Sequence, residues 1–266
     1  MSTPGAQGPQ ARRWLRVAVE EAVATVTFDR PPVNAVDLDV IDEFLAMVEA
    51  VGHDAAVRAV VLTGVERRFC AGADVAMMRD VSRANHEKVR RWVDVQAGLE
   101  AMEKPVIAAI NGYAFGGGAE LALACDVRFM ADDARIGFPE IELGIFPGAG
   151  GTQRLPRLVG PARALRLMME GARLAPAEAL AMGLVDRVLP AAALAAATRD
   201  YARALARKPT RAIGLLKRCA YGGWGRPLAD GLAIERAAVF ELLETRDAAE
   251  GLAAFLARRP PDFTGR

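Results

Sequence analysis

The sequence predicts an α/β (α+β) fold that ends in a helical C-terminal region, on three observations. Runs with the two-residue alternation or apolar continuity of strands exchange with runs of helical spacing as far as Gly160, an order that implies βαβ crossovers. Beyond Gly160 the chain turns almost wholly helical, with Pro161, Pro176, Pro209 and Pro227 each standing where a new helix can start. The 266 residues, 52% hydrophobic and 25% charged, suffice for one large core with a modest appendage.

Residues 1–13, mostly Pro, Gly, Gln and Ser with no apolar run behind them, are expected to be a disordered lead-in. Residues 15–28 alternate through Val17, Val19, Val23, Thr25 and Thr27, with Glu20 and Glu21 between them, as two short strands of a hairpin. Arg30-Pro31-Pro32 stops that pattern. Asp37 can cap a helix in which Leu38, Ile41, Phe44, Leu45 and Val48 recur at helical spacing, ending near Gly52. Residues 57–62 read as a buried strand. A second cycle follows: helical spacing through Val89, Trp92, Val93, Gln96 and Leu99, a break at Lys104-Pro105, a strand over 106–110, a glycine run, a short helix, and a strand over 127–130. The Ala-rich stretch 191–206 spaces Leu194, Ala197, Tyr201 and Leu205 as a surface helix does, and no longer period recurs.

Composition narrows the function classes. Lys and Arg number 34 against 33 Asp and Glu, a net charge of +1, so nothing draws the whole chain to nucleic acid or an anionic membrane. The densest basic run, Arg79, Arg83, Lys88, Arg90 and Arg91, is interleaved with Asp80, Glu87 and Asp94 and reads as a solvated, ion-paired face. Cys70, Cys125 and Cys219 have neither disulfide nor zinc-site spacing, and a reducing, cytoplasmic setting is expected. No apolar run approaches the ~18–20 residues of a membrane span. His53 and His86 fall outside every motif.

Three segments carry chemistry. Arg68-Phe69-Cys70-Ala71-Gly72-Ala73-Asp74 follows a strand, and its small residues let a ligand approach the backbone; should Asp74 or its neighbours open a helix, the amides of Ala73 and its successors are left as free donors. Asn111-Gly112-Tyr113-Ala114-Phe115-Gly116-Gly117-Gly118-Ala119-Glu120 lies between a strand and a short helix. It has neither the Gly-Lys-Ser/Thr of a phosphate loop nor a dinucleotide fingerprint, which leaves free backbone donors at the mouth of a helix. That helix is apolar nearly all round, so Glu120 sits in or beside the core, either at work or paired with an arginine such as Arg128 or Arg154. The third segment, residues 136–152, is dense in Gly and Pro and holds Glu140 and Glu142, between which spacing does not choose. Two carboxylates beside a polarised carbonyl can divide water activation and proton delivery between them.

Taken together, Phe69 to Asp74, Lys104-Pro105-Val106-Ile107-Ala108-Ala109-Ile110-Asn111-Gly112 on through Leu121, and Pro139-Glu140-Ile141 on through Gly151-Thr152-Gln153-Arg154-Leu155 resemble the signatures of the crotonase (enoyl-CoA hydratase/isomerase) superfamily, most of all its enoyl-CoA hydratases. The likeness runs from about Leu15 to Arg266. It implies a crotonase-like ββα spiral over residues 14–200, a helical trimerisation region over 201–266, and a homotrimer or a homohexamer of paired trimers. It also implies syn addition of water to a 2-enoyl-CoA thioester, with no cofactor beyond the CoA that the substrate carries. Residue by residue, it puts the oxyanion hole on the backbone amides of Ala73 and Gly117 and the catalytic carboxylates on Glu120 and Glu140. Substrate and CoA contacts fall on Ala71, Gly72, Ala73, Asp74, Val75, Ala76, Gly116, Gly117 and Phe263, and an acyl pocket on Met77, Met78, Trp92 and Phe115. Two positions depart from the pattern: Ala76 stands where many relatives carry Lys, and the loop from Arg30 to Asn34 is one residue short. Isomerisation of a related acyl-CoA is the neighbouring alternative, and an RNA-binding homologue is the alternative from another class.

Overall fold

A computed structural model describes residues 13–80 and 82–266. The expected disordered lead-in therefore lies outside the described residues except for Arg13, whose amide donates to Glu43.

The hairpin forms as β1 (Leu15–Glu20) and β2 (Val23–Phe28), paired antiparallel from Leu15↔Phe28 to Glu20↔Val23. After a two-residue strand β3 (Ala35–Val36), Asp37 caps α1 (Leu38–His53) by accepting from the Val40 amide at 3.0 Å. Three turns of chain then each lay one strand in a large sheet, a second in a small sheet, and a helix or helical turn across them. The first is β4 (Ala59–Gly64), β5 (Arg68–Cys70), the short β6 (Gly72–Ala73), α2 (Arg83–Val89) and α3 (Arg91–Ala101). The second is β7 (Val106–Ile110), β8 (Tyr113–Phe115) and α4 (Gly117–Leu123). The third is β9 (Val127–Ala131), β10 (Arg135–Gly137), a 3₁₀ turn over Pro139–Leu143, α5 (Gly151–Val159) and α6 (Pro161–Met169). The chain continues through β11 (Arg173–Leu174), α7 (Pro176–Ala181), β12 (Arg187–Leu189), α8 (Ala191–Ala206), α9 (Thr210–Gly223), α10 (Leu228–Leu243) and α11 (Arg246–Leu256).

The large sheet has the order β1-β2-β4-β7-β9-β12 and is parallel from β2 onward; the small one has the order β11-β10-β8-β5, and β3 pairs with β6 by itself. Every residue of β7 is buried, as a strand covered on both faces requires. Phe28, Phe44 and Trp92 meet edge to face with centroids 5.4 and 5.1 Å apart and lock α1 and α3 onto the sheet. The expected ββα spiral is the observed architecture. The boundary expected at residue 200 falls inside α8, which packs on β2, β4, β7 and β9, whereas α9 lies on α3 and α10. Lys217 of α9 pins it there. Its buried Nζ donates to the Leu99 and Lys104 carbonyls at 3.1 and 2.9 Å and pairs with Asp126 at 2.7 Å. Among the described residues, no helix is long and apolar enough to cross a membrane.

Candidate active site

β6 runs parallel to β3 with Val36 opposite Ala73, and the Asp74 amide donates to the Val36 carbonyl at 2.8 Å. Successive amides of a strand point to opposite sides, so the Ala73 N–H points away from β3. The sequence reading tied that free donor to a helix opening at Asp74 or its neighbours. A 3₁₀ turn does open just beyond it, over Met77–Arg79, its first bond running from the Met77 amide to the Asp74 carbonyl at 3.0 Å, and strand geometry in β6 also turns the Ala73 N–H outward. Gly117 is the first residue of α4, and the earliest intrahelical bond runs from the Glu120 amide to the Gly116 carbonyl, so the Gly117 N–H has no acceptor in its own helix.

These two donors come from segments in van der Waals contact. A methyl group on Gly117 would stand 3.6 Å from the Ala73 nitrogen; one on Gly72, whose φ is +94°, would stand 2.7 Å from the Phe115 carbonyl oxygen and 3.1 Å from the Gly117 nitrogen. Only glycine at 72 allows the approach. Behind it, the Trp92 indole donates to the Gly117 carbonyl at 3.2 Å.

Glu120 lies one turn into α4 and is 2% exposed. Its Oε1 accepts from the amides of Ala149 and Gly151, each at 2.8 Å. Neither arginine named from sequence is its ion-pair partner. Arg128 is taken by the Cys125 and Leu184 carbonyls, and Arg154 makes a two-pronged pair with Glu100 at 2.6 and 2.8 Å. Burial raises the Glu120 pKa above the ordinary carboxylate value, opposed by the two amide hydrogen bonds and the Arg154 charge.

Glu140 and Glu142 leave the same 3₁₀ turn in different directions. Glu140 turns inward: a methyl group on Gly116 would lie 3.0 Å from its Oε1, and its Oε2 is buried with no hydrogen-bond partner. Burial first, and then the Glu120 charge, push the Glu140 carboxyl up to about 7. Glu142 turns to solvent and makes a two-pronged pair with Arg173 at 2.7 and 2.6 Å, which holds its pKa below the usual value. Geometry thus groups Glu140, and not Glu142, with Glu120, Ala73 and Gly117.

The rim of the site is the loop 71–76. Ala73, Val75 and Ala76 are exposed, Gly72 is buried, and Ala71 and Asp74 are half-buried. Asp74 accepts from the Ala76 amide at 3.0 Å and pairs with Arg30 at 3.3 Å, which also holds Asp37. Met77, Met78 and Phe115 are half-buried nearby, whereas Trp92 is packed as core. The Phe263 ring lies against Gly251 of α11 and its carbonyl accepts from Arg58. A separate groove of about 700 Å³ between α1, α3 and α9 is lined by Arg58, Lys104 and Thr210, whose polar atoms are occupied by one another and by backbone carbonyls. On the basic helical stretch Arg90 pairs with the interleaved Glu87, and Arg91 with Asp42 of α1.

The sequence profile of the enoyl-CoA hydratase/isomerase family matches residues 18–266, a span that contains every group just described. The chain belongs to the enoyl-CoA hydratase/isomerase family. Within that family it is 40% identical over 256 residues to a crotonyl-CoA hydratase of Syntrophomonas wolfei, covering 93% of this chain and 96% of the relative. It is also 40% identical over 260 residues to a 2,3-dehydroadipyl-CoA hydratase of Escherichia coli, covering 95% and 99%. The crystal structure of an enoyl-CoA hydratase from Bacillus anthracis matches with a TM-score of 0.90 at 36% identity, covering 96% of this chain and all of that one.

Sequence reasoning missed what supports this family member's site from behind: the Arg154–Glu100 pair, and Gln96, which is fully buried with its Oε1 2.8 Å from Arg154. A signal was present. Gln96 is a polar residue on the apolar stripe of α3, between Trp92 and Leu99, and such a residue needs a partner.

Proposed function

We propose that this protein is an enoyl-CoA hydratase, a hydro-lyase that adds water syn across the C2–C3 double bond of a 2-enoyl-CoA thioester to give the 3-hydroxyacyl-CoA. One observation carries the reading: a carboxylate held by the turn at 149–151 and a second, partly buried one on the 3₁₀ turn lie beside a pair of backbone amides with no acceptor in their own elements.

In this mechanism the Ala73 and Gly117 amides bind the thioester oxygen as it takes on enolate charge. Such donors act where charge develops, and losing one typically costs about 2.7–4 kcal/mol of barrier. Glu120, whose Oε1 receives two N–H bonds, is the better seat for negative charge and takes the proton from water as its oxygen bonds to C3. Glu140, with a pKa of about 7, is substantially protonated near neutrality and delivers a proton to C2. A proton passed from Glu120 to Glu140 resets the pair, and the sum is one water added. The reaction needs no cofactor beyond the substrate's own CoA.

Exposed apolar side chains on α10 and α11, among them Phe240, Leu243, Phe255 and Leu256, support assembly into a homotrimer or a hexamer of trimers. Buried Cys70 and Cys125, with thiols pushed up to about 12, suit a reducing cytoplasm. The deciding experiment follows the loss of conjugated enoyl absorbance of crotonyl-CoA and longer 2-enoyl-CoAs. Glu120→Gln and Glu140→Gln are each expected to lose about 10²- to 10⁴-fold in kcat. Movement of the double bond with no gain of water, retained in Glu140→Ala, would instead establish an isomerase.

A further inference from the structure

The two amides that hold Glu120 belong to one turn around Gly150, whose φ is +107°. What holds that turn is Arg154. Its backbone amide bonds the Gly150 carbonyl at 2.8 Å, and its side chain folds back so that Nη1 donates to the Ala149 carbonyl at 3.3 Å. The guanidinium lies so close over Gly150 that a methyl group there would come within 1.9 Å of Nη1. The far side of the guanidinium is clamped by α3: Nε and Nη2 on the two oxygens of Glu100, Nη1 on Oε1 of Gln96.

Gln96 is the informative member. It is fully buried, and its Nε2 has no hydrogen-bond partner. Arginine only donates, so the contact at Nη1 must be the Gln96 oxygen, which leaves the amide nitrogen orphaned. An orphaned buried donor costs stability, and a leucine on the same stripe of α3 would avoid that cost. The compensating contact is the acceptor at the other end of the amide.

We infer that Gln96, Glu100 and Arg154 form a brace that sets the position of the Glu120 carboxylate through the turn 149–151, and that Gln96 and Arg154 are positioning residues for the reaction. The inference rests on the reading of Glu120 as the base. The charged groups facing Glu120 are Arg154 on α5, Glu140 on the 3₁₀ turn and, behind Arg154, Glu100 on α3. Loosening the brace weakens the bonds that favour the Glu120 anion, so the acid limb of the rate profile moves to higher pH.

The test uses the full chain and two variants. Gln96→Leu removes both the acceptor and the orphan donor. It is expected to fold with a stability close to wild type in urea, because the lost bond to Arg154 and the lost orphan donor roughly offset, to keep KM for crotonyl-CoA within about twofold, and to lose about ten- to a hundredfold in kcat, since misplacement of about 1 Å costs up to ~10² in rate. Arg154→Lys keeps the charge but cannot reach Gln96, Glu100 and the Ala149 carbonyl together, and is expected to stay impaired. A ¹³C titration of the Glu120 carboxyl, assigned with Glu120→Gln, supplies a readout free of turnover and is expected to move up in pH in Gln96→Leu. Wild-type kcat and an unmoved Glu120 titration in Gln96→Leu would overturn the brace, as would full activity in Arg154→Lys. A wild-type protein that hydrates nothing while the titration still moves with Gln96→Leu would overturn the hydratase reading and leave the brace standing.

Discussion

Replacing Gly72 with alanine is expected to part the two amides while leaving every proposed catalytic group in the chain. The new methyl would sit 2.7 Å from the Phe115 carbonyl oxygen and 3.1 Å from the Gly117 nitrogen, both backbone atoms that cannot rotate aside. The residue must also hold a φ of +94°, in the region that favours glycine. Left-handed backbone costs an alanine about 1–2 kcal/mol, and overpacking adds about 1–3 kcal/mol. Relief comes only by moving β6 away from the start of α4, which is the motion that separates the Ala73 and Gly117 donors. A donor lost from an oxyanion hole slows kcat by about 10²–10³. Urea denaturation followed by circular dichroism reads the first effect, and crotonyl-CoA hydration with the folded variant reads the second. Gly52→Ala serves as the control, because a methyl there meets nothing nearer than the Met102 Cε at 4.0 Å; it should stabilise α1 by up to about 1 kcal/mol and leave kcat alone. If Gly72→Ala loses stability but keeps kcat within about threefold of wild type, the convergence of these amides is not what the rate depends on.

Glu140→Gln should be more stable than wild type above neutral pH. The Glu140 pKa rises from 4.5 to about 7 on folding, so the folded state holds the proton more tightly, and wild-type stability falls as pH climbs between those values. The advantage of the Glu140→Gln variant should therefore grow across that window, level off above it and vanish at lower pH, as read by urea melts at several pH values. Glu142→Gln, by contrast, removes an exposed pair with Arg173 and should leave kcat unchanged, separating the two glutamates of one turn. Lys217→Met strips the buried ammonium from the Leu99 and Lys104 carbonyls and from Asp126; chemical denaturation should show a loss of about 3 kcal/mol, the low end for breaking a buried pair because Val106 and Tyr221 still donate to Asp126. Gly116→Ala places a methyl 3.0 Å from the Glu140 Oε1 at a φ of +52°, and should lower kcat by displacing that carboxylate.

Much of this was legible in the residues themselves. The alternation in the hairpin, the continuous apolar run of β7, the cap at Asp37 and the proline starts of the late helices depend on neighbours a few positions apart, and they appear where local pattern puts them. The apolar helix around Glu120 likewise announced a buried carboxylate. The strands β3, β5, β6, β8, β10, β11 and β12 were not legible, because two or three residues are too few to show a period. Spacing did not choose between Glu140 and Glu142, which only the family resemblance separated: they stand two residues apart, and the packing of the 3₁₀ turn against Gly116 on one side and Arg173 on the other sends one inward and the other out. By itself the sequence determined the class of fold, the buried helix and the three loops able to present donors and acids. Tertiary structure alone decided that Gly72 meets Gly117, that Glu120 meets the turn at 149–151 and that Arg154 meets α3. Those contacts join residues tens of positions apart, and their closeness follows from how successive turns of chain lie side by side in the two sheets, which no local spacing encodes.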